Sequence, residues 1–110
     1  MPDSAEYTIV FADLVGYTAL TEAHGDRQGA DVALRFFELA KAALVGSARI
    51  VKTLGDGVMI VASDVADALS TADQLSAAVE AEPKFPALRI GVHRGVGARK
   101  TRISLAGPST

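Results

Sequence analysis

Apolar residues in this chain follow two periods, one typical of strands and one typical of helices. Segments rich in apolar residues at Tyr7–Ala12, 48–54 and 57–62 predict strands, the first of them buried at the centre of a sheet. The second and third segments flank a Gly-Asp-Gly turn and therefore predict a tight hairpin. From Leu88 to Val92 every second residue is apolar, which predicts a last strand.

Between these segments, apolar residues recur at helical spacing. The sequence predicts a short helix over Tyr17–Ala23 and a longer one over Gly29–Val45, which a Gly-Ser pair ends. We expect residues 24–29 to form a loop in which Asp26 caps the second helix. The buried positions predicted for that helix are Ala33, Phe36, Phe37, Ala40 and Leu44.

A third helix is predicted after the hairpin, where Ser63 or Asp64 is placed to cap its first turn. The order β, α, β, β, α, β is that of the ferredoxin-like sheet with helices on one face, so we predict one α+β domain over residues 1–110. Residues 95–110 show no strong periodicity, and their structure is left open. The buried positions predicted for the third helix are Val65, Ala68, Leu69, Ala72, Leu75 and Val79.

The composition fits a single globular domain and excludes several other classes. With 110 residues, of which 49% are hydrophobic, the chain can bury a modest core. It has no cysteine, which excludes disulfides and thiolate zinc sites and fits a cytoplasmic protein. No apolar segment approaches the roughly 18 residues of a transmembrane helix, and the N-terminus lacks the features of a signal peptide.

Charge is distributed unevenly along the chain. All 13 acidic residues precede position 83, whereas six of the 11 Lys and Arg residues lie in 83–110. This asymmetry fits binding of a polyanion or an acidic surface, and equally fits neutralisation of the acidic body by its own basic end. Nucleic-acid binding is not expected, because the net charge is −2 and the basic segment offers only Phe85 for stacking.

Two carboxylates stand at predicted strand ends. Asp13 follows the first strand, and Asp56 lies at the tip of the hairpin. Two hard oxygen ligands so placed can share a site for Mg²⁺ or Mn²⁺ that faces phosphates. The alternative is that each residue has only a local structural role, in which Asp13 caps a helix and Asp56 stabilises a turn.

Three segments around these residues match the signatures of a known family. Phe11–Thr18 resembles the first signature of the class III nucleotidyl cyclases, the adenylate and guanylate cyclase family. Val51–Met59 resembles the second signature and Arg89–Gly95 the third. The three occur in the family's order and on the corresponding elements, and the resemblance covers residues 7 to about 107.

The resemblance implies a metal-dependent conversion of ATP or GTP into the 3′,5′-cyclic nucleotide and pyrophosphate. It makes Asp13 and Asp56 the ligands of two divalent ions, Mg²⁺ or Mn²⁺, one near the ribose 3′-hydroxyl and one at the triphosphate. Backbone amides at a helix start would receive phosphate oxygens. These are the amides of Leu14, Val15, Gly16, Tyr17 and Thr18.

The resemblance also implies how the base is read. Lys52 matches the position that reads adenine, and the second such position falls at Ser104, so ATP is expected rather than GTP. The family acts as a head-to-tail homodimer, in which Asp13 and Asp56 of one chain would face Lys52 and Ser104 of the other. Without the resemblance, Lys52 is interpreted as a solvent-facing residue on an edge strand.

The sequence departs from the family pattern at its C-terminus. In the family, the glycine that matches Gly107 is followed by a helix with an Asn that orients the ribose and an Arg that stabilises the transition state. This sequence ends at Thr110, so we expect a C-terminally shortened catalytic domain. The alternative function is a catalytically impaired module for nucleotide binding or dimerisation. A diguanylate cyclase is not expected, because the hairpin lacks the Gly-Gly-Asp/Glu-Glu-Phe signature.

The remaining polar residues of the C-terminal part have two interpretations. His93 lies in the third signature and is expected to be structural. A group of cations can either approach phosphates or form a solvated face: Arg94, Arg99, Lys100 and Arg102.

Overall fold

The structure is a computed structural model that describes residues 4–98, with side chains described from residue 6 to residue 95. Across this range it has four strands and three helices, which confirms the predicted α+β class. No helix in residues 4–98 combines the length and apolar character needed to cross a membrane. The elements are β1 Ser4–Leu14, α1 Tyr17–His24, α2 Asp26–Ala43, β2 Arg49–Thr53, β3 Gly57–Ala62, α3 Val65–Glu80 and β4 Leu88–Ala98.

The strands form one antiparallel sheet in the order β2-β3-β1-β4. This is the predicted ferredoxin-like arrangement, with β1 between β3 and β4. The β1–β3 register runs from Thr8 opposite Ala62 to Asp13 opposite Gly57. On the other side of β1, Asp13 is opposite Arg89. The register therefore aligns the ends of three neighbouring strands, β3, β1 and β4, at the same end of the sheet.

The helices pack on one face of the sheet and leave the other face open. Val10 and Ala12 of β1 belong to the hydrophobic core together with Phe36 of α2 and Leu75 of α3. Because successive residues of a strand point to opposite faces, Phe11 lies on the open face, where it is 46% exposed. The prediction that the whole first strand is buried is therefore wrong, since the helices cover only one side of it.

The link between α1 and α2 is shorter than predicted. Gly25 alone joins them with φ +95, a conformation that favours glycine, and α2 begins at Asp26 instead of Gly29. Asp26 makes no capping hydrogen bond, so its predicted role as a cap is wrong. As the first helical residue, it instead places a negative charge near the positive end of the helix dipole.

Helix α1 is attached to α2 by a close contact. The Tyr17 hydroxyl donates to the carbonyl of Gly29 at 2.7 Å, and a side chain at Gly29 would meet the Thr21 hydroxyl at 2.6 Å. Glycine at this position therefore lets the two helices approach. Within the described part of the chain, no residue of α1 is fully buried.

Helix α3 is capped as predicted but rotated relative to the prediction. The Ala66 amide donates to the Asp64 carboxylate at 2.7 Å, which confirms Asp64 as the cap. Val65 and Leu69 are exposed, so their predicted burial is wrong. The buried face includes Thr71, whose hydroxyl accepts a hydrogen bond from the Val45 amide at 3.0 Å. A threonine can occupy this buried position because it satisfies a backbone amide in the segment after α2.

Asp67 of α3 connects that helix to the segment before β2. Its carboxylate accepts hydrogen bonds from the backbone amide and the hydroxyl of Ser47, both at 2.8 Å. The Ser47 hydroxyl in turn accepts from the Ser63 amide at 3.1 Å. The bonds from Ser47 lower the pKa of Asp67 below its ordinary value.

Stability should therefore depend on the ionisation of Asp67. Because folding lowers its pKa, this carboxylate contributes fully above the ordinary aspartate pKa of about 3.9, and the contribution is lost as the pH falls through the lower folded value. We expect Asp67→Asn to lower the urea midpoint near neutral pH and to flatten the acid side of the stability profile. Urea unfolding between about pH 6 and about pH 2.5 measures this dependence. Asp73→Asn, on an exposed position of the same helix, is the control, and parallel profiles for the two variants would contradict the assignment.

Candidate active site

Asp13 and Asp56 lie at the same end of two paired strands. Asp13 is the penultimate residue of β1 and is opposite Gly57, and Asp56 immediately precedes Gly57 in the hairpin turn. The Leu14 amide donates to the Asp56 carbonyl at 3.0 Å, which ties the turn to the end of β1. The structure thus places at the same end of the sheet two acidic residues that lie 43 positions apart in the sequence.

Two glycines shape the turn that carries Asp56. Gly55 has φ +73, which an L-residue rarely adopts, and so it allows the chain to reverse beside Asp56. Gly57 lies against β1, because a side chain there would approach the Asp13 Cβ to 3.2 Å and the Ala12 carbonyl to 3.3 Å. The small residue at position 57 therefore leaves the space beside Asp13 unfilled.

Arg89 completes a charged cluster with the two carboxylates. Its Nε donates to Asp13 Oδ1 at 3.1 Å and its Nη2 donates to Oδ2 at 3.2 Å, a paired geometry that suits guanidinium and carboxylate. Hydrogen bonding and charge from Asp13 raise the pKa of Arg89, and the charge of Asp56 adds to the effect. The cluster therefore contains two negative groups and one permanent positive group.

The pairing of Arg89 with Asp13 is not predicted from the sequence, in which Arg89 is a polar residue of an alternating strand and part of the third signature. Arg89 reaches Asp13 because β1 and β4 pair in a register that sets them opposite each other. That pairing joins residues 76 positions apart, and a single sequence carries no local signal for it.

A cleft of about 390 Å³ opens beside the cluster. Its walls come from the ends of β1 and β4 and from the hairpin turn, and the Asp13 side chain is 40% exposed there. Because these charged groups are exposed at the cleft, a ligand can contact them without any rearrangement of the hydrophobic core. The lining residues are Phe11, Ala12, Asp13, Leu54, Gly57, Val58, Arg89, Ile90 and Gly91.

The predicted phosphate-binding amides divide into two groups. The Leu14 amide donates to the Asp56 carbonyl at 3.0 Å, and the Val15 amide donates to the Ala87 carbonyl at 2.8 Å. These two amides are already bonded within the protein, so that part of the prediction is wrong. The amides at Gly16–Thr18 have no acceptor within residues 4–98. Gly16 has φ +78 and immediately precedes α1, so these amides lie at a helix start, where anions are favoured.

Of the two predicted base-reading residues, Lys52 lies outside this cluster. Lys52 is exposed on β2, one of the two edge strands of the described sheet, and is opposite Met59 on the open face. Two strand spacings, about 10 Å, separate β2 from β1. Ser104 lies outside the described residues. The prediction that Lys52 is on an edge strand agrees with the structure, and its contact with a base is not tested by it.

The other predicted cations do not join the cleft where they are described. Arg94 pairs with Glu6 at 2.6 Å, and the register sets it opposite Thr8, which lies on the helix-covered face of β1. Of the two interpretations given for Arg94, the structure therefore agrees with the solvated face, because the strand turns this side chain away from Asp13. His93 is exposed on the open face. Arg99, Lys100 and Arg102 lie outside the described residues.

The donor set at the cleft fits a hard divalent cation. Magnesium in proteins is commonly held by one or two carboxylates and completes its coordination with water and substrate phosphates. Asp13, which lines the cleft, and Asp56, in the adjoining hairpin turn, offer two such carboxylates. Residues 4–98 contain no cluster of three or more metal-ligating side chains.

Comparison with known proteins agrees with the fold and the signatures. The chain is 35% identical over 100 residues to a pH-sensitive adenylate cyclase of Mycobacterium tuberculosis, a match that covers 91% of this chain and 25% of that protein. It is 39% identical over 87 residues to an adenylate cyclase of Streptomyces griseus, covering 77% of this chain and 22% of that protein. No family model matches the chain.

The architecture also matches solved cyclase domains. A bacterial light-regulated adenylyl cyclase superimposes with a TM-score of 0.74 at 20% identity, covering 86% of this chain and 56% of that one. In both fold and sequence, the chain is similar to domains of the nucleotidyl cyclase type. More particularly, most of this chain is related to the class III adenylate and guanylate cyclases, as the signatures predicted. It spans about a quarter of the length of the curated relatives that it matches.

Proposed function

We propose that this chain acts in the conversion of ATP to 3′,5′-cyclic AMP and pyrophosphate, at a site that two copies of the chain complete. The observation that carries the proposal is the position of Asp13 and Asp56 at adjacent strand ends, where Asp13 and Arg89 line an open cleft. The names of the relatives, which are adenylate cyclases, support the same reaction.

The reaction closes a ring on the substrate itself. The ribose 3′-oxygen forms a bond to the α-phosphorus, the bond from that phosphorus to the bridging oxygen of the β-phosphate breaks, and pyrophosphate leaves. The 3′-hydroxyl loses its proton as the new bond forms. Since such a transfer depends on alignment and on neutralising phosphate charge, the protein's task is to place charges around a fixed triphosphate.

Asp13 and Asp56 would hold two divalent ions, Mg²⁺ or Mn²⁺, whose bound positive charge lowers the proton affinity of the 3′-hydroxyl and neutralises the phosphates. Arg89 already pairs with Asp13 at 3.1 and 3.2 Å. In the nucleotide complex, Arg89 would exchange this pair with Asp13 for a phosphate oxygen at the same cleft. Arg89 thus supplies a donor fork that suits phosphate as well as carboxylate.

The start of α1 would receive the outer phosphates. Amides at Gly16–Thr18 have no acceptor within residues 4–98, and they lie at the positive end of a helix dipole. Gly16 carries no side chain, and nothing in the structure lies within 4 Å of the position that one would occupy. A phosphate can therefore approach the backbone closely at this point.

The base and the partner chain are assigned to the open face. Lys52 lies there with Phe11, on a surface that no helix covers. We place Lys52 and Ser104 of a second copy opposite the carboxylates, in a head-to-tail homodimer, where a lysine donor at the base edge favours adenine over guanine.

The proposal is tested by turnover with purified chain. We expect incubation with ATP and Mn²⁺ to yield cyclic AMP, with less cyclic GMP from GTP and a lower rate with Mg²⁺ than with Mn²⁺. Chromatography or mass spectrometry of the products measures this, with Asp56→Ala as the inactive control. Binding of Mn²⁺–ATP without any cyclic product would instead favour a nucleotide-binding or dimerisation module. Preferential cyclisation of GTP would overturn the assignment of the base.

A further inference from the structure

The loop between α3 and β4 leads directly into the candidate active site. It covers residues 81–87 and contacts elements on both sides before β4 begins at Leu88. At its start, Glu82 contacts α2, and at its end, Ala87 contacts the segment after β1. The loop therefore joins the helical layer to the strand end that carries Arg89.

The contact with α2 is an ion pair of defined geometry. Arg35 Nε donates to Glu82 Oε1 at 3.0 Å, and Arg35 Nη2 donates to Oε2 at 2.7 Å. Only 20% of the Glu82 side chain is exposed, against 52% of the Arg35 side chain. Hydrogen bonding to Arg35 lowers the pKa of Glu82, which keeps the carboxylate ionised. Two parallel bonds fix the direction of the loop as well as its distance from α2.

The middle of the loop has little conformational freedom. Pro83 and Pro86 restrict their own backbone angles, and Lys84 between them has φ +56, which is uncommon for a residue with a side chain. Phe85 packs against the hydrophobic core. A stiff segment of this kind transmits the position of its first residue to its last, because few torsions are left to absorb a displacement.

The last residues of the loop contact both sides of the cleft. The Ala87 carbonyl accepts a hydrogen bond from the Val15 amide at 2.8 Å. Val15 immediately precedes the free amides of Gly16–Thr18, which form the phosphate end of the proposed site. Two residues after Ala87, Arg89 pairs with Asp13. A shift of the loop would therefore move the phosphate end and the Asp13–Arg89 pair together.

We propose that the Arg35–Glu82 pair is a positioning device for the reaction, which holds the loop so that Val15, Asp13 and Arg89 keep their relative places. This inference rests on the proposed function. Neither residue lines the cleft beside Asp13, so both act through the loop and not by contact with the nucleotide. Sub-ångström errors in the alignment of reacting groups cost rate more than they cost binding.

The kinetic test compares Arg35→Gln and Glu82→Gln with Lys41→Gln. Lys41 is a matched control, because it lies on the same helix and pairs with Glu38 at 3.3 Å without touching the loop. We expect both loop variants to lower kcat about tenfold with a smaller change in KM for Mn²⁺–ATP. Thermal midpoints should shift by no more than about 4 °C, because the Arg35 side chain is 52% exposed and a pair in contact with water contributes weakly to folding. The doubly reversed variant, Arg35→Glu with Glu82→Arg, should recover part of the loss. Turnover equal to that of Lys41→Gln would overturn the proposal.

A second measurement is independent of catalysis. Hydrogen exchange of the Val15 amide, followed by NMR, reports on its bond to Ala87. We expect exchange of this amide to be about tenfold faster in Arg35→Gln and Glu82→Gln than in Lys41→Gln. Unchanged exchange would refute the positioning role even in an active enzyme. If the wild-type chain forms no cyclic nucleotide, the proposed function fails, and the exchange data still decide whether the pair positions Val15.

Discussion

Replacement of Asp13 by asparagine should lower cyclic AMP formation by on the order of 100-fold or more. Asparagine keeps the size of the side chain but removes the negative charge, so the site loses one of the two groups that would hold the cations. Arg89 also loses the partner that fixes it at 3.1 and 3.2 Å. Initial rates with Mn²⁺–ATP, measured over a range of Mn²⁺ concentrations, give the size of the effect.

Stability should change little in the same variant, because the Asp13–Arg89 pair is exposed and such pairs contribute weakly to folding. Asp73→Asn removes a carboxylate from an exposed position on α3, away from the cleft, and should retain full activity. An Asp13→Asn rate within about threefold of the rate of this control would be incompatible with metal binding at Asp13, given the cost expected for a lost charge.

Mixing two inactive variants should restore activity if the site is shared between chains. Asp13→Asn and Lys52→Ala each damage every site of their own homodimer. In a mixed dimer, one site receives both substitutions and the other receives neither. Random pairing makes about half of the dimers mixed, so an equimolar mixture should regain roughly a quarter of the wild-type rate.

The mixing experiment distinguishes a site shared between two chains from a site within one chain. Both are possible in this fold, because Lys52 and Asp13 lie on the same face of one sheet, separated by two strand spacings of about 10 Å in all. A site formed within one chain would therefore also be compatible with the fold. It predicts no recovery on mixing, at any ratio of the two variants. The control is a mixture of Asp13→Asn with Asp56→Ala, in which both substitutions fall on the same half of the proposed site and no intact site can form.

The sequence was sufficient to predict the elements that carry Asp13 and Asp56. The Gly-Asp-Gly turn at Gly55–Gly57 and the apolar segment before Asp13 are local signals. The first predicts the hairpin turn and the second predicts β1, and the structure confirms both. The order of the strands also followed from the order of the elements. The roles of Asp13 and Asp56 in metal and phosphate binding stay predictions until activity is measured.

Features that depend on tertiary packing were beyond the sequence. The Asp13–Arg89 pair arises from the register between β1 and β4, and no local pattern encodes a register. Likewise, Val65 and Leu69 have helical spacing on α3, yet they are exposed because the helix turns Thr71 toward the core instead. Phe11 is exposed because the helices cover one face only, which an apolar segment alone does not reveal.

The attachment of α1 has a consequence for substrate binding. Residues at its start offer the free amides, yet no residue of this helix is fully buried in the described part of the chain, and one hydroxyl-to-carbonyl bond ties it to α2. Such a segment can unfold on its own at a small fraction of the global free energy of unfolding. Occupancy by a triphosphate would draw this local equilibrium toward the closed helix, so that the phosphate end of the site becomes ordered as it is filled. Limited proteolysis within α1 should then slow in the presence of nucleotide, while cleavage elsewhere keeps its rate.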